Sequence, residues 1–194
     1  MYNDIFAVIH ARNKIESFAN ADLAISCGCN GVFFISHGDL SDNEILDLAK
    51  SYESENSILI GVNLLGARVE NIVSDIACSV DMLWSDYVPT GSSQELFIQR
   101  RNEQLCAFKF FGGVAFKYQP QPSDLLKAAQ DVRGVVDVLT TSGTATGSAP
   151  ESSKLKILAE GFGDKIAVAS GVTATNAGEM LRYVNKFLGS TGIS

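Results

Sequence analysis

Short apolar runs rich in β-branched and aromatic residues recur along this chain every roughly 20 to 30 residues, each followed by a segment with helical periodicity. The runs fall at residues 5–10, 32–36, 58–63, 82–87, 108–117, 136–141, 166–170 and 186–189. Between them lie helices such as 43–54, where Ile45, Leu48 and Ala49 form one apolar face behind a Ser41 N-cap with Glu44 three residues on. Strands separated by helices must pair in parallel, and eight such units predict a closed (β/α)8 TIM barrel. An open dinucleotide-binding sheet is the competing arrangement. It calls for a glycine fingerprint after the first strand, where this chain reads Ala11-Arg12-Asn13-Lys14.

A barrel of this kind normally takes about 200 to 250 residues. Residue 194 falls just beyond the eighth strand, so the eighth helix is expected to be lacking, with the flank it would cover buried by a partner or a further segment. A hydrophobic content of 46% supports one sizeable core and a single domain over 1–194. The formal charge of −7 argues against nucleic acid and anionic membranes as partners. No apolar run approaches the roughly 18 residues that span a bilayer, so membrane insertion is not expected, and Met1-Tyr2-Asn3-Asp4 lacks the basic start of a signal peptide. A cytoplasmic protein with reduced, buried thiols at Cys27, Cys29, Cys78 and Cys106 is the consequent expectation, and Cys27-Gly28-Cys29 is too tightly spaced for a usual zinc pair.

In this fold chemistry belongs to the C-terminal ends of the strands. Asp81 and Asp137, which precede their strands, are therefore assigned to structure. The opposite ends offer His10, Ser36, His37, Asp39, Asn63, Ser85, Asp86, Lys117, Thr141, Ser142, Ser170, Gly171, Gly189 and Ser190. Ser170-Gly171 and Gly189-Ser190 follow strands seven and eight, where backbone without side chains lets a phosphate approach N–H groups, so these four residues are the expected phosphate site. Lys117, ending an apolar run, would neutralise that anion or act as an amine nucleophile. His10 and Asp86 complete the candidate catalytic set, with His37 as a further imidazole. Thr141, Ser142, Gly143 and Thr144 open a hydroxyl-rich loop through Ser148 that reads as a lid over the ligand. Arg100 and Arg101 read as solvated charges, and Phe108, Phe110, Phe111 and Phe116 as core. No metal motif, cofactor fingerprint or nucleophile elbow is present in the sequence.

Three segments resemble the BtpA family, named for a protein of photosystem I biogenesis: Ile60-Gly61-Val62-Asn63-Leu64-Leu65, the stretch Val136-Asp137-Val138-Leu139-Thr140-Thr141-Ser142-Gly143-Thr144-Ala145-Thr146-Gly147, and Ser170-Gly171-Val172-Thr173 with Asn176. The resemblance spans nearly the whole chain and implies a barrel akin to phosphoribosylanthranilate isomerase and other ribulose-phosphate-binding barrels, with phosphoribosyl transfer among the implied activities. Where that family commonly carries an acidic residue and a histidine around strand five, this chain reads Gly113-Val114-Ala115-Phe116-Lys117-Tyr118. The lysine is kept without those partners, which argues against a metal site there.

Two functions are consistent with these residues. One is a metal-independent isomerase, lyase or transferase acting on a phosphorylated metabolite by proton transfer. The other is a non-catalytic barrel that binds such a ligand, or supports assembly of a complex. In both the protein is expected to form a homo-oligomer, because the flank beside strands one and eight needs cover.

Overall fold

The computed structural model describes residues 4–36, 38, 40–53 and 58–189. Eight parallel strands close into a barrel in sequence order, β8 pairing back onto β1. They are β1 (Asp4–Ala11), β2 (Gly31–Ser36), β3 (Leu59–Asn63), β4 (Met82–Ser85), β5 (Lys109–Gly113), β6 (Val138–Thr141), β7 (Ile166–Ala169) and β8 (Lys186–Gly189). The helices that alternate with them are α1 (Lys14–Ser26), α2 (Asp42–Lys50), α3 (Val69–Ile76), α4 (Ser92–Asn102), α5 (Leu125–Asp131), α6 (Ser152–Phe162) and α7 (Ala177–Met180). Among the described residues no helix follows β8. The expected capping box at Ser41 and Glu44 is formed, each satisfying a backbone N–H of the other.

Period-two alternation sorts the strand residues between two cores. Outward residues such as Val32, Phe34, Val62 and Leu83 pack beneath the helices. Inward residues Phe6, Phe33, Met82, Trp84, Phe111, Phe116, Val138, Ala167, Ala169 and Leu188 fill the barrel. Phe33 touches Phe6, Trp84 and Phe111 edge-on at centroid distances of 5.8, 5.8 and 5.2 Å. Each buried ring contributes on the order of 1.5–3 kcal/mol. The large rings crowd strands one to five, whereas β7 offers only Ala167 and Ala169, so the space at the mouth opens on that side.

The lower ends are tied by polar residues placed immediately before even-numbered strands. Asn30 Oδ1 accepts from Ile5 N at 2.8 Å, Asp81 Oδ2 from Ile60 N at 2.9 Å, and Asp137 Oδ2 from Phe110 N at 2.7 Å. The structural assignment of Asp81 and Asp137 therefore holds.

Three expectations need correction. Residues 108–117 are not one strand: β5 ends at Gly113, Ala115 turns through a left-handed backbone (φ 49°), and Phe116 folds into the barrel interior. The burial of that ring is the physical reason for the break. Arg100 and Arg101 are not free surface charges. Arg100 donates to Glu70 O at 2.7 Å, and Arg101 donates to Phe108 O and Asp137 while lying over the Phe108 ring. Nor are all four cysteines reduced and buried: Cys78 and Cys106, which follow the adjacent helices α3 and α4, are 5.0 Å apart at Cα and form a disulfide. Cys29 is buried and Cys27 exposed.

Candidate functional site

A cavity of about 340 Å³ opens at the C-terminal ends of the strands. Its floor and one wall are apolar, from Val8, Ile35, Trp84, Ala169, Val172 and Leu188. Around the rim stand His10, Asp86, Lys117, Tyr118, Thr146 and the Ser170-Gly171 turn, with Gly189 closing the circle. His10 shares the inward parity of Phe6 and Val8 on β1, which carries it to the mouth.

Asp86 follows β4 in the inward register of Met82 and Trp84. It is locked there by its surroundings: a Cβ on Gly113 would lie 2.0 Å from the Asp86 carbonyl oxygen, so β5 can approach this closely only as glycine. Gln119 Nε2 donates to that same carbonyl. Asn63 Nδ2 donates to the Asp86 carboxylate at 3.2 Å. Burial raises the Asp86 carboxyl above its ordinary value, against the opposing pull of the Asn63 amide and the Lys117 charge. A carboxyl in that condition is suited to proton transfer.

Lys117 reaches the rim from the β5 loop rather than from a strand end. Its backbone N–H donates to Ser142 Oγ at 2.7 Å, and its ammonium lies 5.7 Å from the Phe116 ring centre. Tyr118 follows with φ 63° and is 75% exposed. Its oxygen meets Thr146 Oγ1 at 3.0 Å and accepts from Thr146 N at 3.4 Å, which holds the phenol below its ordinary range.

The loop after β6 divides into two parts. Thr141, Ser142 and Gly143 are buried and do not line the cavity, and Thr144 stands outside it, so the four residues chosen from the sequence as a lid do not cover the mouth. The reason is local. The Ser142 hydroxyl is engaged by Lys117 N and Gly143 O, and Gly143 N returns to Ser148 O at 3.1 Å. The part that borders the cavity is Thr146-Gly147, held to the β5 loop by Tyr118 and to the β7 loop by Gly147 N donating to Ser170 Oγ at 2.7 Å.

Ser170 and Gly171 both adopt positive φ, 83° and 68°. A Cβ at Gly171 would sit 2.2 Å from Ala149 N, so packing of the β6 loop already dictates glycine there. Packing by itself thus requires glycine at 171, whether or not a phosphate approaches it. Among the described residues no group accepts from the Gly171 or Val172 N–H, and Asn176 shapes the turn by donating to Gly171 O and accepting from Thr173 N, each at 2.8 Å. His37 and Ser190 lie outside the described residues.

Lys154 and Tyr118 are not singled out by the sequence, and Thr146 is reached there only as part of the loop through Ser148. Lys154 is the most consequential: from α6 its ammonium donates to Ala115 O and Ser142 O, and burial pulls it down to about 8. In Ser152-Ser153-Lys154-Leu155-Lys156 nothing distinguishes it from a surface lysine. Among the described residues no group of three or more His, Cys, Asp or Glu side chains could hold a metal, and no helix is long and apolar enough to cross a membrane.

No protein-family model and no curated protein matches the chain. Solved structures do. A mutant tryptophan synthase alpha-subunit from Pyrococcus furiosus superposes with a TM-score of 0.70 at 13% identity, covering 99% of this chain and 89% of that one. A phosphoribosylanthranilate isomerase from Thermotoga maritima gives 0.66 at 14%, covering 99% and 88%. An orotidine 5′-phosphate decarboxylase from Pyrococcus horikoshii gives 0.68 at 10%, covering 96% and 88%. At such identities the likeness establishes the TIM-barrel fold.

Proposed function

We propose that this barrel binds a phosphorylated small molecule at its mouth and acts on it as a metal-independent isomerase, lyase or transferase. The observation that carries the reading is the convergence of Asp86, Lys117 and His10 on one cavity that is also bordered by the Ser170-Gly171 turn. In this arrangement the phosphate rests against the N–H groups of the β7 loop and of Gly189, with Lys117 as counter-charge. The reacting end then faces Asp86, whose raised carboxyl exchanges a proton, and His10, which supplies or removes a second. The structural neighbours include an isomerase and a decarboxylase whose names specify phosphorylated compounds, which supports the phosphate part of the reading.

Kinship with the BtpA family belongs to the same proposal and rests on segments 136–147 and 170–176. So does association with a second copy, on the groove beside α1 and β1, where Leu23 is 63% exposed. A binding-only role has one observation in its favour. Phe116 is buried in the barrel interior, and the segment Gly113-Val114-Ala115-Phe116-Lys117-Tyr118 brings neither a carboxylate nor an imidazole beside Lys117. The cytoplasmic expectation loses one support in the Cys78–Cys106 disulfide, which favours an oxidising environment.

Crystals soaked with phosphate esters test the reading. An ester whose phosphate contacts Gly171 and whose organic end reaches Asp86 or His10 supports catalysis. Bound phosphate with the organic end directed to solvent supports binding alone, and an anion bound elsewhere on a fully liganded barrel refutes the site.

A further inference from the structure

Lys154 lies in the first turn of α6 and does not border the mouth, yet its two hydrogen bonds meet the chain on either side of Lys117's anchor. One acceptor is Ala115 O, at the left-handed turn two residues before Lys117. The other is Ser142 O, 2.7 Å away, in the residue whose hydroxyl accepts from Lys117 N. An L-residue such as Ala115 adopts φ 49° only when its surroundings hold it there. Glu151, the carboxylate one turn earlier, accepts from Ser153 Oγ at 3.2 Å, and the two bonds of the Lys154 ammonium go to main-chain carbonyls. A half-buried cation with this pair of acceptors is a brace between two loops.

We propose that Lys154 is a positioning residue for the anion site: by clamping Ala115 O and Ser142 O it fixes the β5 turn that presents Lys117 at the mouth, so ligand affinity depends on a lysine that does not touch the ligand. The proposal rests on the reading of the mouth as a phosphate site and adds the device that preorganises its cation. At neutral pH most of the Lys154 population remains charged, since its value of about 8 lies above 7, so the clamp acts through charge-assisted bonds.

The test uses the full chain with Lys154→Met, Lys154→Gln and Lys154→Arg, alone and combined with Lys117→Met. Affinity for inorganic phosphate is followed by ³¹P line broadening, and amide exchange is measured at residues 115–118. If Lys154 acts through Lys117, Lys154→Met weakens phosphate binding by about as much as Lys117→Met, a loss on the order of tenfold. The double variant is then no weaker than Lys117→Met alone, and arginine, which keeps charge and donors, recovers most of the loss. Wild-type affinity in Lys154→Met, or losses that multiply in the double variant, overturns the proposal. Should the wild-type protein bind no phosphate, the anion-site reading fails. The clamp is then judged on exchange alone: faster exchange at the Lys117 amide in Lys154→Gln, reversed in Lys154→Arg, upholds it, and unchanged exchange sinks it.

Discussion

A methyl group at position 171 meets two penalties at once. It forces an L-residue to φ 68°, and it enters the space of the Ala149 nitrogen. Gly171→Ala is therefore expected to cost about 2–4 kcal/mol, seen as a fall in the denaturation midpoint of roughly 5–15 °C for a chain of this size. A variant with an unchanged midpoint would show that the β6 loop can retreat, and would restore the phosphate explanation of this glycine. Asp86 carries the opposite expectation. Its carboxyl is raised in the folded state, so its contribution to stability is complete below the ordinary aspartate range and lost as pH rises through the folded value. Ionised Asp86 is thus a liability at neutral pH. Asp86→Asn is expected to raise the midpoint at pH 7 and to flatten its pH dependence just above the aspartate range; under the proposed proton-transfer role it also abolishes turnover. A variant that keeps the wild-type slope would show that the carboxyl is solvated. Position at the C-terminal end of a strand made His10, Asp86 and Asn63 legible in the sequence, because that end of a barrel strand opens on the mouth. Lys154 was not legible, since its acceptors are carbonyls separated from it by 39 and 12 residues.

At the scale of elements, the β6 loop behaves as a strap docked at both ends. Tyr118 holds Thr146 on one side and Ser170 holds Gly147 on the other. Tyr118→Phe removes the hydroxyl that makes the first attachment and leaves the mostly exposed ring in place. Amide exchange at residues 144–147 is expected to quicken severalfold while global stability changes by less than about 0.5 kcal/mol. Unchanged exchange there would mean that the Ser170 attachment alone orders the loop. The helix start at Ser41 was read correctly because a capping box depends on two residues three apart. The β5 segment was misread because Val114, Ala115 and Phe116 are all apolar, and composition carries no mark of a turn whose cause is a ring fitting the barrel interior. The hydroxyl-rich loop follows β6 as read, and the residues in it that border the cavity, Thr146 and Gly147, come later than the four singled out. Ser142, chosen as a ligand contact, is committed to the Lys117 backbone.

Barrel closure was legible in the sequence because it follows from eight repeated units and parallel pairing, which together leave no other partner for β1 and β8. The covalent tie at the lower end was not. Two cysteines 28 residues apart in a chain read as intracellular resemble any buried pair until α3 and α4 set them side by side. The disulfide closes that segment into a loop, and chain-entropy reasoning for a loop of this length gives a stabilisation of about 3–4 kcal/mol. It joins the two helices that flank β4, the strand leading to Asp86, far from the mouth. Its loss is therefore expected to act on stability rather than on affinity. Reduction with dithiothreitol, or the paired change Cys78→Ser with Cys106→Ser, is expected to lower the denaturation midpoint by roughly 6–15 °C and to leave phosphate affinity within about twofold. Thiol titration of the native chain provides the control. Cys27 reacts rapidly and buried Cys29 slowly, and Cys78 and Cys106 become reactive only after reduction. Four reactive thiols in the unreduced, unfolded protein, together with a midpoint indifferent to reductant, would show that this end of the barrel is held by packing between α3 and α4 alone.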